Sequence, residues 1–167
     1  MRVLLLAGFA IWVLPWLVLG CQAIEGGRPN QAGLAGPQGF GPDRVIITPL
    51  TELVGPVDKA GIRQIRVFVK VVDGFGCDMK APGVFRFELY QMLPRSAEQR
   101  GSRLAIWPDI DLTDPARNHQ YWHQILRMYI FTLDLAVGTE GPYVLECTLM
   151  CPDGRRLSGQ YLLAWSR

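Results

Sequence analysis

The chain has 167 residues, 17 of them basic and 15 acidic, for a formal charge of +2. So small a charge, with no runs of Lys or Arg, does not suggest a nucleic-acid binder. Charged residues are only 19% while Gly (18) and Pro (12) are frequent, which excludes long helices and coiled coils and leaves room for one ordinary domain.

Residues 1–20 read MRVLLLAGFAIWVLPWLVLG, one Arg followed by an uncharged apolar run that ends in a small residue before Cys21. A positive start, a short apolar core and a small terminal residue describe a secretory signal peptide. The apolar run is at the short limit for a spanning helix, and Pro15 weakens it further. The four residues Val18-Leu19-Gly20-Cys21 resemble the lipobox of bacterial lipoproteins. That resemblance implies a diacylglyceryl group on the Cys21 thiol, cleavage before it and an acyl chain on the new N-terminus. It also implies a location in the bacterial cell envelope, anchored to a membrane with the domain outside the cytoplasm. Each buried CH₂ adds about 0.8 kcal/mol, so two or three chains anchor firmly.

From residue 22 to 43 the chain is rich in Gly and Pro with no periodic apolar pattern, and reads as a flexible linker spanning about 25 Å. The folded domain is expected over 44–167. Short strands are expected at Val45–Thr48 and Arg103–Ile106. Between them, Gln64–Val72 places Ile65, Val67, Val69 and Val71 on one face, and Phe85, Phe87 and Leu89 alternate with polar residues in the next run. A helix follows, with Asp114 as N-cap, Pro115 in its first turn and Trp122, Ile125, Leu126 and Tyr129 at helical spacing, ending near Arg127 and plugging one end of the domain. Arg127–Leu135 and Tyr143–Met150 are further strands, and Pro152-Asp153-Gly154 turns the chain into Arg156–Trp165. The fold class is mainly β, an antiparallel β-sandwich with one short helix.

The stretch from Val71-Val72-Asp73-Gly74 through Lys80-Ala81-Pro82-Gly83 to Phe85–Tyr90 resembles a strand–turn–strand element of transthyretin-like and carboxypeptidase-regulatory-like domains, which are small Ig-like sandwiches. Phe75-Gly76-Cys77-Asp78 has the character of an insertion in that connection. The resemblance implies the fold and brings no active site.

Candidate chemistry is sparse. With Cys21 lipidated, Cys77, Cys147 and Cys151 remain. Cys147 and Cys151 are four apart on a strand, about 13 Å, too far to bridge. Two alternatives are left: Cys77 paired with one of them, or three reduced thiols. His119 and His123 share a face of the expected helix at metal-binding spacing, but no Glu follows His119 as a general base, and flanking histidines are the blander reading. Asp109, Asp111 and Asp114 form an oxygen-rich cluster that suits Ca²⁺ if Asp73 or Asp78 joins it, although the EF-hand pattern is absent. Trp107, Tyr121 and Trp122 crowd the same segment, as sugar-stacking or partner-binding aromatics or as caps on the core. No nucleophile elbow, phosphate loop or dinucleotide fingerprint is present in the sequence.

These readings predict a non-enzymatic, lipid-anchored envelope protein whose sandwich is a binding or structural module. It needs no cofactor beyond its covalent lipid, and its partners are the membrane and an envelope protein or glycan, not nucleic acid. The alternative is a calcium- or glycan-binding module built on the Asp109–Trp122 segment, and a small hydrolase ranks last.

Overall fold

The computed structural model describes residues 39–55, 59, 61–94, 99–136 and 142–164. The expected signal peptide, the lipidation site Cys21, most of the linker and Trp165 lie outside the described residues. Ten strands and one helix follow in order: β1 (Pro42–Ile47), β2 (Glu52–Val54), β3 (Ile62–Asp73), β4 (Val84–Met92), β5 (Arg100–Ile106), β6 (Ile110–Asp111), α1 (Pro115–Tyr121), β7 (Trp122–His123), β8 (Met128–Ala136), β9 (Tyr143–Met150) and β10 (Arg156–Leu163). They form two antiparallel sheets packed as a sandwich. One has the order β1-β3-β8-β7 with β2 also on β3, and the other β10-β9-β4-β5 with β6 also on β4.

Alternation builds the core. In β3 the side chains of Ile65, Val67, Val69 and Val71 are fully buried, and across the sandwich Phe85, Phe87 and Leu89 of β4 face them with Leu145, Cys147 and Leu149 of β9. Phe131 of β8 meets Phe87 with ring centroids 4.8 Å apart and Phe85 at 5.2 Å. Each such side chain removed from water contributes about 1.5–3 kcal/mol. The twelve-residue β3 is longer than its neighbours, so its outer edge is shared: β1 pairs with it near Asp73 and β2 near Gln64. β4 divides its edge in the same way between β6 and β5. β1 and β10 approach closely at one side of the sandwich, where Gly159 is required. A Cβ there would collide with the backbone carbonyl of Val45.

Two expectations need correction, and one left open is decided. The domain begins before residue 44: Gly39 accepts a bond from the Gly74 N–H at 3.0 Å, Phe40 packs on Phe75 with centroids 5.2 Å apart, and β1 starts at Pro42. The helix stops at Tyr121, because Trp122 is already extended (φ −87°, ψ 122°) and pairs with Tyr129 as His123 pairs with Met128. Aromatic and imidazole side chains are mediocre helix formers, and the packing of the Trp122 ring on Tyr129 outweighs a further helical turn. Ile125 and Leu126 therefore sit in a hairpin turn, exposed, and do not plug the core. Lastly, Cys77, Cys147 and Cys151 are all free thiols. Among the described residues no helix is long and apolar enough to cross a membrane.

Candidate functional site

The crossover from β3 to β4 shapes one end of the sandwich. Asp73 Oδ1 accepts the N–H groups of Phe75 (2.9 Å) and Cys77 (2.8 Å), which closes a tight turn, and Gly76 supplies the positive φ (84°) it needs. The chain then doubles back beside β3, with Asp78 opposite Val72 and the Met79 N–H on the Val71 carbonyl. At Lys80–Gly83 it crosses to the other sheet.

A buried polar network fixes this crossover to α1. The Tyr129 hydroxyl accepts the Ala81 N–H at 2.9 Å and shares its one proton between Asn118 Oδ1 (3.0 Å) and the Ala81 carbonyl (3.2 Å). Asn118 in turn donates to the carbonyls of Ala81 (2.9 Å) and Leu112 (3.0 Å). Burial raises the Tyr129 pKa, and its contacts with Ala81 and Asn118 offset part of that, so at neutral pH the phenol is a protonated hydrogen-bonding hub. The helix itself starts where Asp114 Oδ1 accepts the Arg117 N–H at 2.8 Å, the expected cap.

Over this network opens a cleft of about 470 Å³, walled by Ala81, Pro82, Leu112 and Pro115 and carrying Lys80 and His119. Lys80 Nζ donates to His119 Nδ1 at 2.7 Å and stands 5.6 Å from the Trp122 ring centroid. An ammonium offers only donors, so His119 accepts at Nδ1 and carries its own proton on Nε2. Among the described residues no carboxylate forms an ion pair with Lys80. The cleft thus joins apolar walls to a cationic group, an arrangement suited to a small ligand with an apolar body and an acceptor or negative end.

The other anticipated groups do not converge. His119 lies on α1 and His123 on β7, where His123 Nδ1 accepts the Leu126 N–H at 3.2 Å, so the two imidazoles are not a helical pair. Asp109 is held bidentately by Arg86 (2.9 and 2.8 Å), and that guanidinium keeps its carboxyl below the usual carboxylate range. Asp111 accepts from Thr113 while Asp114 caps the helix, Asp73 is spent on its own turn, and Asp78 pairs with Lys70 at 2.9 Å. Among the described residues no group of three His, Cys, Asp or Glu is placed to hold a metal. Of the aromatic trio, Tyr121 packs on Phe131 (5.3 Å) and Trp122 edge-on to Tyr129 (5.1 Å), both as half-buried walls of the core. Trp107 is remote from them. Its Nε1–H donates to the Asp134 carbonyl at 2.7 Å, five residues along β8 from Tyr129 or ~17 Å, and ties one sheet to the other. The Cys147 and Cys151 thiols are buried, which raises their pKa and leaves them protonated and unreactive.

Sequence reasoning did not single out Lys80, Asn118 or Tyr129 as a unit, because they are separated by up to 49 positions. The one local signal was an Asn in the short helix after a strong cap. Comparison with protein families, curated proteins and solved structures finds no match for this chain.

Proposed function

We propose that this is a lipid-anchored protein of the bacterial cell envelope whose sandwich acts as a non-enzymatic binding module, with the Lys80–His119 cleft as its binding site. The observation that carries the anchor is Val18-Leu19-Gly20-Cys21 at the end of an apolar, singly charged leader. What supports a binding rather than a catalytic role is the chemistry of the cleft. Its polar groups are the Lys80 ammonium, the His119 imidazole and the Thr113 hydroxyl over a satisfied amide–phenol network, with two inert thiols elsewhere in the core. The two-sheet arrangement and the Val71–Tyr90 connection support kinship with the transthyretin-like, Ig-type sandwiches.

Metabolic labelling with palmitate tests the anchor. The wild-type chain takes up label and Cys21→Ala does not, remaining unprocessed or being released from the membrane fraction. Label that survives Cys21→Ala overturns the lipoprotein reading. For the cleft, a screen of small carboxylates by thermal shift separates outcomes: a ligand whose stabilisation is lost in Lys80→Ala supports it, and one unaffected by that change binds elsewhere.

A further inference from the structure

Three of the large apolar side chains are the most exposed among the described residues, Ile125 at 88%, Phe75 at 65% and Phe40 at 64%, with Leu50 and Ile106 next at 51%. The sheet register puts all three at one end of the sandwich. Phe75 is in the turn beyond Asp73, the last residue of β3, and Phe40 is stacked on it. Ile125 is at the tip of the hairpin between β7 and β8, whose Arg127 reaches back to the Asp78 carbonyl at 2.9 Å beside that same turn. Three separate segments thus present apolar tips together, which a water-facing loop end does not ordinarily do.

This end is also where the chain enters the domain from Cys21. We infer that it rests on the bilayer, with Phe40, Phe75 and Ile125 inserted among the lipid headgroups and upper acyl chains. The inference rests on the lipid-anchor reading above. If 22–39 behaves as a flexible chain, it spans about 25 Å, whereas the twelve-residue β3 alone runs ~40 Å. A domain longer than the average span of such a tether, attached at one end, keeps that end nearer the membrane on average. Tethering at such a distance gives an effective concentration on the order of millimolar, so even weak insertion of three side chains is populated. Of the nearby charges, Lys70 is paired with Asp78 and Arg155 with Asp153, while Arg127 beside Ile125 donates to the Asp78 carbonyl and Lys80 to His119. Insertion is therefore driven by the apolar tips, with Arg127 and Lys80 placed to meet lipid phosphates.

Cys77, exposed in the same turn, is a natural reporter, since the other two described thiols are buried. The lipidated chain in phosphatidylcholine vesicles is labelled with a nitroxide at Cys77, and its collision rates with oxygen and with a water-soluble nickel chelate are compared. The reference label is at Leu93→Cys in a Cys77→Ser background, at the opposite end of β4. Docking predicts that Cys77 is at least about fivefold less accessible to nickel than the reference, with oxygen accessibility raised. Triple substitution Phe40→Ser, Phe75→Ser, Ile125→Ser returns the Cys77 label to the reference value while the protein still floats with the vesicles. Flotation with both labels equally open to nickel overturns the docking and leaves the anchor standing. Failure to float overturns the anchor and the docking with it. Spin–spin broadening at Cys77 that persists on dilution in lipid assigns the apolar end to a second copy and overturns the membrane assignment.

Discussion

Removing the Tyr129 hydroxyl with Tyr129→Phe leaves the ring in place on Phe85 and Trp122, centroids 5.2 and 5.1 Å away, so no cavity complicates the result. What it takes away is specific. The Ala81 N–H loses its acceptor and Asn118 Oδ1 its donor, while the Ala81 carbonyl keeps Asn118 as a partner. A buried group left without a partner costs about 1–3 kcal/mol, and with two such groups able to relax together the expected loss is about 2–3 kcal/mol. For a domain of this size that is a fall in Tm of roughly 10 °C. Asn118→Asp, equally isosteric, should cost more, because it replaces two donated bonds by oxygen facing the carbonyls of Ala81 and Leu112 and buries a charge. The two changes share one network, so the double variant should be less destabilised than the sum of the singles by at least about 0.5 kcal/mol. Urea titration followed by circular dichroism and Trp fluorescence measures all three, an unchanged m-value certifying a common unfolded state. If Tyr129→Phe stays within about 0.5 kcal/mol of wild type, or the cycle is additive, the crossover is not held by this network.

Gly159→Ala should destabilise by about 2 kcal/mol or more in the same titration, since its methyl group meets the Val45 backbone carbonyl and not a movable side chain. A neutral effect would mean that β1 and β10 are not in close contact. Stability should also form a plateau in pH. Asp109, Asp111 and Asp153 have folded pKa values below their unfolded ones, owing first to bonds from Arg86, Thr113 and Arg155, so their contribution is present above about pH 4 and is lost as pH falls through the folded values. Burial raises Cys147 and Tyr129, so their contribution is present below the unfolded values of about 8.5 and 10 and is lost as pH rises. Urea midpoints flat from about pH 5 to 8 and declining on both sides are expected; a midpoint that climbs below pH 4 contradicts this assignment.

The strands were legible because period-two alternation leaves little choice of face: a one-residue slip of β3 would turn Ile65, Val67, Val69 and Val71 to water. β2 and β6 were not, being two- or three-residue partners on edges of β3 and β4, too short to show any period. The helix end is illegible for a different reason. Trp122, Ile125 and Leu126 stand at i, i+3 and i+4, a pattern that fits a helical stripe, but only one of the three is needed by the core. Trp122 is taken by Tyr129 seven residues later, and closing the hairpin puts Arg127 at φ 50° with Ile125 left outside. Cap chemistry, by contrast, is local, and Asp114 with Pro115 marks the helix start in sequence and structure alike. The cleft was illegible because it is made by the crossover and the helix meeting. Lys80 and His119 acquire meaning only when the Asn118–Tyr129 network brings their backbones together.

That dependence links the cleft to the apolar end of the domain. The segment between Asp73 and Gly83 carries Phe75 at its exposed turn, Lys80 at the mouth of the cleft and Ala81 in the buried network. A single connection therefore presents the face argued to meet lipid and forms one wall of the cleft beside it. Its first half is set by the Asp73 turn and its pairing with Val71 and Val72, its second by Tyr129 and Asn118. Loosening the second half by Tyr129→Phe should disturb the cleft more than the turn, since the bonds of Asp73 to Phe75 and Cys77 do not involve Tyr129. The four-residue stretch Phe75–Asp78, which reads in the sequence as an insertion, is thus what lets one crossover serve both surfaces: it extends the loop far enough for Phe75 to stack on Phe40 before the chain returns along β3.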